Sequence, residues 1–157
     1  MTRKILLTGF GPFPGVPVNA SDALARRLSQ RAKQRFPTVN FVAATLPTEW
    51  TTAPLMLESL LSTHKPDISL HFGVSHMADG FVVETSARNA AANVDACGAV
   101  PLSDQLMPNQ PAERLTTLPA ARIVKRLKRM GLPASLSHDA GAYLCNAIYY
   151  HSLHINR

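Results

Sequence analysis

Apolar and polar positions along this chain fall into blocks of strand and helix length. Lys4 to Thr8 is a short apolar run that reads as a buried strand, and it opens into Gly9-Phe10-Gly11-Pro12-Phe13-Pro14-Gly15, a loop dense in glycine and proline. Ala20-Ser21-Asp22 then caps a helix carrying Leu24 and Leu28 to about Arg35, where Phe36-Pro37 ends it. Val39 to Leu46 is a second strand. A second helix is expected to begin at Pro47-Thr48-Glu49, to carry Leu55, Leu57, Leu60 and Leu61, and to stop near His64-Lys65-Pro66. Asp67 to Phe72 is a third apolar strand, closed by Gly73. Strands alternating with helical crossovers argue for an α/β fold, with a parallel sheet covered by helices on both faces.

The second half is less regular. Phe81-Val82-Val83 is strand-like and is followed by Glu84 and a run of polar and small residues. Asn93 to Pro111 lacks periodicity and is broken by Gly98, Pro101, Pro108 and Pro111, so it reads as a long surface loop or short irregular strands. Leu118-Pro119 starts a basic amphipathic helix with Ile123, Val124, Leu127 and Met130 on its apolar side, ended by Gly131 and Pro133. An extended run from Ala134 to Leu136 leads through Gly141 to a last amphipathic helix with Leu144, Ile148 and Leu153. Residues 1–157 are expected to form a single domain, since 157 residues suffice for one core.

Composition narrows the class. Hydrophobic residues at 46% and charged residues at 17% describe a globular chain, since a disordered one would need more charge. No apolar run approaches the roughly 18 residues of a membrane span, and Met1-Thr2-Arg3-Lys4 leads straight into strand residues, so a cytoplasmic protein without a membrane partner is expected. Cys97 and Cys145 lie far apart without C-x-x-C spacing; neither a metal site nor a disulfide framework is suggested. The formal charge of +6 concentrates on Arg26 to Arg35 and on Arg122 to Arg129. Solvated helix faces account for it, and no motif asks for a nucleic-acid partner. Gly9-x-Gly11 lacks the third glycine and the helix entry of a dinucleotide site, and no cofactor is expected.

Three places carry candidate chemistry. Cys145 falls in the first turn of the last helix, where unpaired N–H groups and the helix dipole favour a thiolate and could hold an oxyanion. The alternative is a buried cysteine acting as a small hydrophobe. Glu84, at the end of an apolar strand, is either solvent-facing or a buried acid with a partner. Phe10 and Phe13 are either lids on the core or walls of an apolar pocket.

Three separated motifs resemble one family, the pyroglutamyl (pyrrolidone-carboxylate) peptidases, which are cysteine peptidases. Thr8-Gly9-Phe10-Gly11-Pro12-Phe13 with Val18-Asn19-Ala20-Ser21 looks like the family's T-G-F-x-P-F and V-N-P-S signature. Glu84 with Ala87 and Asn89 resembles its E-R-V-A-x-N strand. Leu118-Pro119, Gly131 to Ser137, and Ala140-Gly141-x-Tyr143-Leu144-Cys145-Asn146-x-x-x-Tyr150 are similar to its L-P, G-I-P-A-x-x-S and A-G-x-Y-x-C-N-x-x-x-Y segments.

The resemblance implies hydrolytic removal of N-terminal pyroglutamate from peptides, by a twisted-sheet α/β enzyme that is a cytosolic homo-oligomer. It makes Cys145 the nucleophile and Glu84 the acid that orients a histidine. Phe10 and Phe13 become the walls of a lactam pocket, and Asn19 a polar group near the substrate. It also places the catalytic histidine on a strand after the cysteine helix, in a G-F-x-H type segment that these 157 residues do not contain. His151 and His154 would lie roughly 9 and 13 Å along the helix from Cys145, beyond hydrogen-bond reach. His138, His71 and His76 are the remaining stand-ins.

Further departures are Thr85 where the family has arginine, Asp95-Ala96-Cys97 in place of Asp-Ala-Arg, and Val74-Ser75-His76 where a glutamine is common. An active hydrolase short of a C-terminal strand is one reading, and its exposed sheet edge would favour association. A non-catalytic homologue that binds a small lactam or a peptide N-terminus is the other.

Overall fold

A computed structural model describes residues 2–155. The described residues pack as two compact units, 2–74 with 93–101 and 75–92 with 102–155.

In the first unit, β1 (Lys4–Phe10) lies between β2 (Asn40–Leu46) and β3 (Ile68–His71), all parallel. The register pairs Leu7 with Ala43 and with Leu70. Helices α1 (Ala20–Arg35) and α2 (Thr52–His64) make the crossovers that parallel pairing requires. Leu7, Ala25 and Phe41 form a buried cluster joined by Ile5, Ala32, Val39, Leu70 and Phe72, so α1 covers the Leu7 face of the sheet. Gly9 is where β1 and α1 come closest: a Cβ there would lie 2.4 Å from the Ser21 carbonyl oxygen.

Helix α2 begins at Thr52, later than the sequence suggests. Residues 47–51 are tied elsewhere: the Thr48 hydroxyl donates to the Gly11 carbonyl (3.2 Å) and the Trp50 amide to Asp95 Oδ2 (3.0 Å). The Asp95 carboxylate also accepts the amides of Cys97 and Ala99, both at 2.9 Å, which orders one end of the long loop.

The second unit holds two further ladders. β4 (Phe81–Glu84) pairs in parallel with β7 (Ala134–Ser137), and β5 (Ser86–Arg88) pairs antiparallel with β6 (Glu113–Leu115). The parallel α/β reading therefore holds, with the pairing divided among three ladders and one antiparallel pair that the sequence pattern did not reveal. Helix α3 (Ala120–Arg129) packs on β4 and β7, and α4 (Leu144–Ile155) on β5 and β6. Leu144, Ala147, Ile148 and Tyr150 of α4 are buried. Arg114 of β6 is also buried; its guanidinium lies over the Tyr150 ring (5.0 Å) and donates to Gln110 Oε1 and His154 Nδ1, both at 2.8 Å. Among the described residues no helix is long and apolar enough to cross a membrane, and no cluster of metal-ligating side chains occurs.

Candidate active site

The sequence-selected residues divide between the units. Phe10, Phe13 and Asn19 belong to the first. Phe10 ends β1 and is buried at 3% exposure, with its amide donating to Ser21 Oγ (2.9 Å). Phe13 is half-buried and bridges to Val16, which folds the proline-rich loop back on itself. Asn19 is the N-cap of α1. Its Oδ1 accepts the Ser21 amide (3.1 Å) and hydroxyl (2.7 Å), and its Nδ2 donates to the Gly11 carbonyl (3.0 Å). All its polar atoms are thus used in joining the loop to the helix, a role the motif alone did not disclose.

Glu84 and Cys145 lie together in the second unit. Glu84 is the last residue of β4 and Cys145 the second of α4, so the end of a parallel strand meets a helix N-terminus. That is where open α/β sheets place their ligands. Tyr149, one helical turn beyond Cys145, donates its hydroxyl to the Glu84 carbonyl (3.0 Å) and fixes the helix to the strand end.

Burial raises the Glu84 carboxyl above its ordinary value; the Ser137 hydroxyl partly offsets this, the Asp139 charge adds to it, and the Asp139 amide and His138 pull the other way. Glu84 Oε2 is buried and has no hydrogen-bond partner among the described residues. A strand acid with one oxygen desolvated and unused is costly, and it is explained when that oxygen has a partner to receive.

Burial also pushes the Cys145 thiol from an ordinary value near 9 up to about 11, with the Glu84 charge adding to the rise and its own backbone amide opposing it. The helix N-terminus expected to favour a thiolate is present, but desolvation outweighs it. A first-turn position is worth at most about 1 kcal/mol near a surface, under one pKa unit. The structure corrects that expectation: in this arrangement Cys145 is a thiol at neutral pH.

The candidate histidines are committed in different ways. His138 follows β7 and its Nδ1 lies 2.6 Å from Thr85 Oγ1, which also donates to the Ser137 carbonyl (2.9 Å). The Thr85 hydroxyl has one proton, so His138 Nδ1 is the donor to Thr85. His154 is bound to Arg114, and His71 belongs to the first unit. Ser137 and Asn146 stood in the motifs without a role, because their contacts to Glu84 and Arg88 are long-range. Tyr149 was missed, although its i, i+4 spacing from Cys145 was a usable signal.

The whole described chain matches one set of relatives. The family model for pyroglutamyl peptidase matches residues 3–157. The chain belongs to the pyroglutamyl peptidase family. Pyrrolidone-carboxylate peptidases from Pyrococcus furiosus and Vibrio vulnificus are each 34% identical to it, over 96% and 97% of this chain and 72% and 73% of their own lengths. The crystal structure of pyroglutamyl peptidase I from Bacillus amyloliquefaciens is similar to it with a TM-score of 0.88 at 32% identity, covering 97% of this chain and 73% of that one. In this pyroglutamyl peptidase family member, Cys145 and the strand-end Glu84 fall in the same unit.

Proposed function

We propose that this chain removes N-terminal pyroglutamate from peptides, with Cys145 as nucleophile and Glu84 as the acid that holds the base. The observation that carries the assignment is the adjacency of a helix-N-terminal thiol and a strand-end carboxylate with one buried, unused oxygen. An imidazole N–H donated to Glu84 Oε2 would satisfy that oxygen. It would leave the other ring nitrogen to take the proton of Cys145 as sulfur attacks the lactam-bearing carbonyl.

The attack forms a thioester and expels the peptide amine, which receives the proton from the imidazolium. Water then enters with the same base and releases pyroglutamate. On this reading the N–H groups at the start of α4 stabilise the oxyanion. A thiol held near 11 needs that base, because without it the thiolate fraction at neutral pH is small. The resemblance puts the base in a histidine after the cysteine helix, and activity then depends on that histidine being supplied. Phe10 and Phe13 serve as apolar walls and Asn19 as the polar group that orders their loop. The same reading carries a cytosolic, homo-oligomeric enzyme.

Release of a fluorophore from a pyroglutamyl amide tests the reading. Turnover that disappears in Cys145→Ala and falls by about 10²-fold or more in Glu84→Gln supports it; turnover indifferent to Cys145→Ala sinks it. The protonated state of Cys145 favours one alternative, a homologue that binds a lactam or peptide N-terminus without cutting it. Calorimetric binding of pyroglutamate with no turnover would select that alternative.

A further inference from the structure

The turn between β7 and α4 delivers Cys145, and one residue of another strand grips that turn at both ends. Arg88 closes β5. Its amide donates to Asn146 Oδ1 (2.8 Å) and its carbonyl accepts from Asn146 Nδ2 (2.9 Å), so its backbone is fastened to the residue next to Cys145. Asn146 Nδ2 also donates to the Ala90 carbonyl (3.0 Å), and Asn146 is fully buried. The Arg88 guanidinium meanwhile reaches Asp139 Oδ1 at 3.0 Å. That same oxygen accepts the Gly141 amide (2.9 Å), at a backbone φ of +78° that glycine adopts without strain. The Asp139 amide donates to Ser137 Oγ (3.1 Å), which ties the turn back to β7. Residues 139–146 are thus held by the Arg88 side chain at one end and the Arg88 backbone at the other, with Cys145 between.

We propose that Arg88 is a positioning residue for Cys145, acting through its ion pair with Asp139 to fix the turn that presents the sulfur. That the presented sulfur attacks an acyl group rests on the peptidase reading; that the turn is held by Arg88 does not. The groups facing Glu84 are Asp139 and His138 from the turn and Cys145 and Tyr149 from α4. Arg88 reaches the acid by way of Asp139. The Asp139 charge works against ionisation of Glu84, so removing Arg88 and neutralising Asp139 should act on Glu84 in opposite senses.

The test uses the full chain carrying Cys97→Ser, so that Cys145 is the thiol that reacts, and follows alkylation of Cys145 by iodoacetamide beside pyroglutamyl-amide turnover. Arg88→Ala should speed alkylation by about three- to fivefold, the range open to a part-exposed ion pair, and Arg88→Lys should restore the parent rate within about twofold. The acid limb of kcat/KM should move to higher pH in Arg88→Ala and to lower pH in Asp139→Asn, which retains an oxygen for the Gly141 amide. Alkylation of Arg88→Ala at the parent rate would overturn the proposal, as would limbs that move in the same direction. A chain that responds in alkylation but shows no turnover even in the parent would uphold the positioning role while removing the peptidase reading.

Discussion

Replacing His71 with glutamine removes a titratable ring from the interior of the first unit, and the cost of that ring can be followed with pH. His71 ends β3, with Nδ1 2.7 Å from the hydroxyl of Thr8, its register partner on β1. Its Nε2 is buried and has no hydrogen-bond partner among the described residues. Burial holds the ring down from an ordinary value of 6.5 to about 4. The folded pKa therefore lies below the unfolded one. Stability from this residue is complete above the unfolded value and is lost as pH falls through the window from 6.5 to about 4, because the unfolded chain takes the proton first. The slope is about 1.4 kcal/mol per pH unit, summing to about 3 kcal/mol at the lower edge. For a chain of this size that is a fall in Tm of about 6 to 12 °C. Urea unfolding midpoints of the parent and of His71→Gln between about pH 7 and about pH 4 isolate the term, since every other titrating group is shared. The parent should lose stability faster toward acid. Parallel curves would show that His71 is hydrated or protonated in the folded chain and would refute the argument.

The other two expectations concern the thiol and the cap. Because the Glu84 charge adds to the upward push on Cys145, Glu84→Gln should lower the midpoint of Cys145 alkylation against pH and speed it about two- to threefold at mildly alkaline pH. An unmoved midpoint would mean the two groups are not coupled. Asn19→Ala removes the α1 cap and the bond to Gly11 together, and should cost about 1–2 kcal/mol in thermal or urea unfolding. Asn19→Asp, which keeps the cap oxygen, should recover part of that, and equal losses in the two variants would contradict the assignment.

What was legible in the sequence was periodic or punctuated. The apolar runs of β1, β2 and β3 could be read directly, because burial of one face leaves a local signature, whereas the start of α1 was read at Ala20-Ser21-Asp22, just past the Asn19 that caps it. The antiparallel pair of Ser86–Arg88 with Glu113–Leu115 could not: three residues are too few to show alternation, and a long non-periodic loop separates them. The late start of α2 was hidden because Asp95, far along the chain, takes the Trp50 amide. At the site, Cys145 and Glu84 were visible as residue types in motifs. The protonation of the thiol was not, since desolvation depends on what packs around the sulfur. Asn146 and Arg88 meet across 58 residues, a contact no local window contains.

A sulfur kept as S–H is also sheltered from oxidants. Peroxide and disulfide attack proceed through the thiolate, and Cys145, half-buried and held near 11 by desolvation, offers almost none at neutral pH. Cys97 is exposed, yet its thiol donates to Glu49 Oε1 (3.3 Å), and that hydrogen bond and the carboxylate charge raise it as well. Both thiols therefore rest in the form that resists conversion to sulfenic acid. The burial that makes Cys145 depend on a base for nucleophilicity also preserves it through oxidative exposure, so its durability and its latency have one cause.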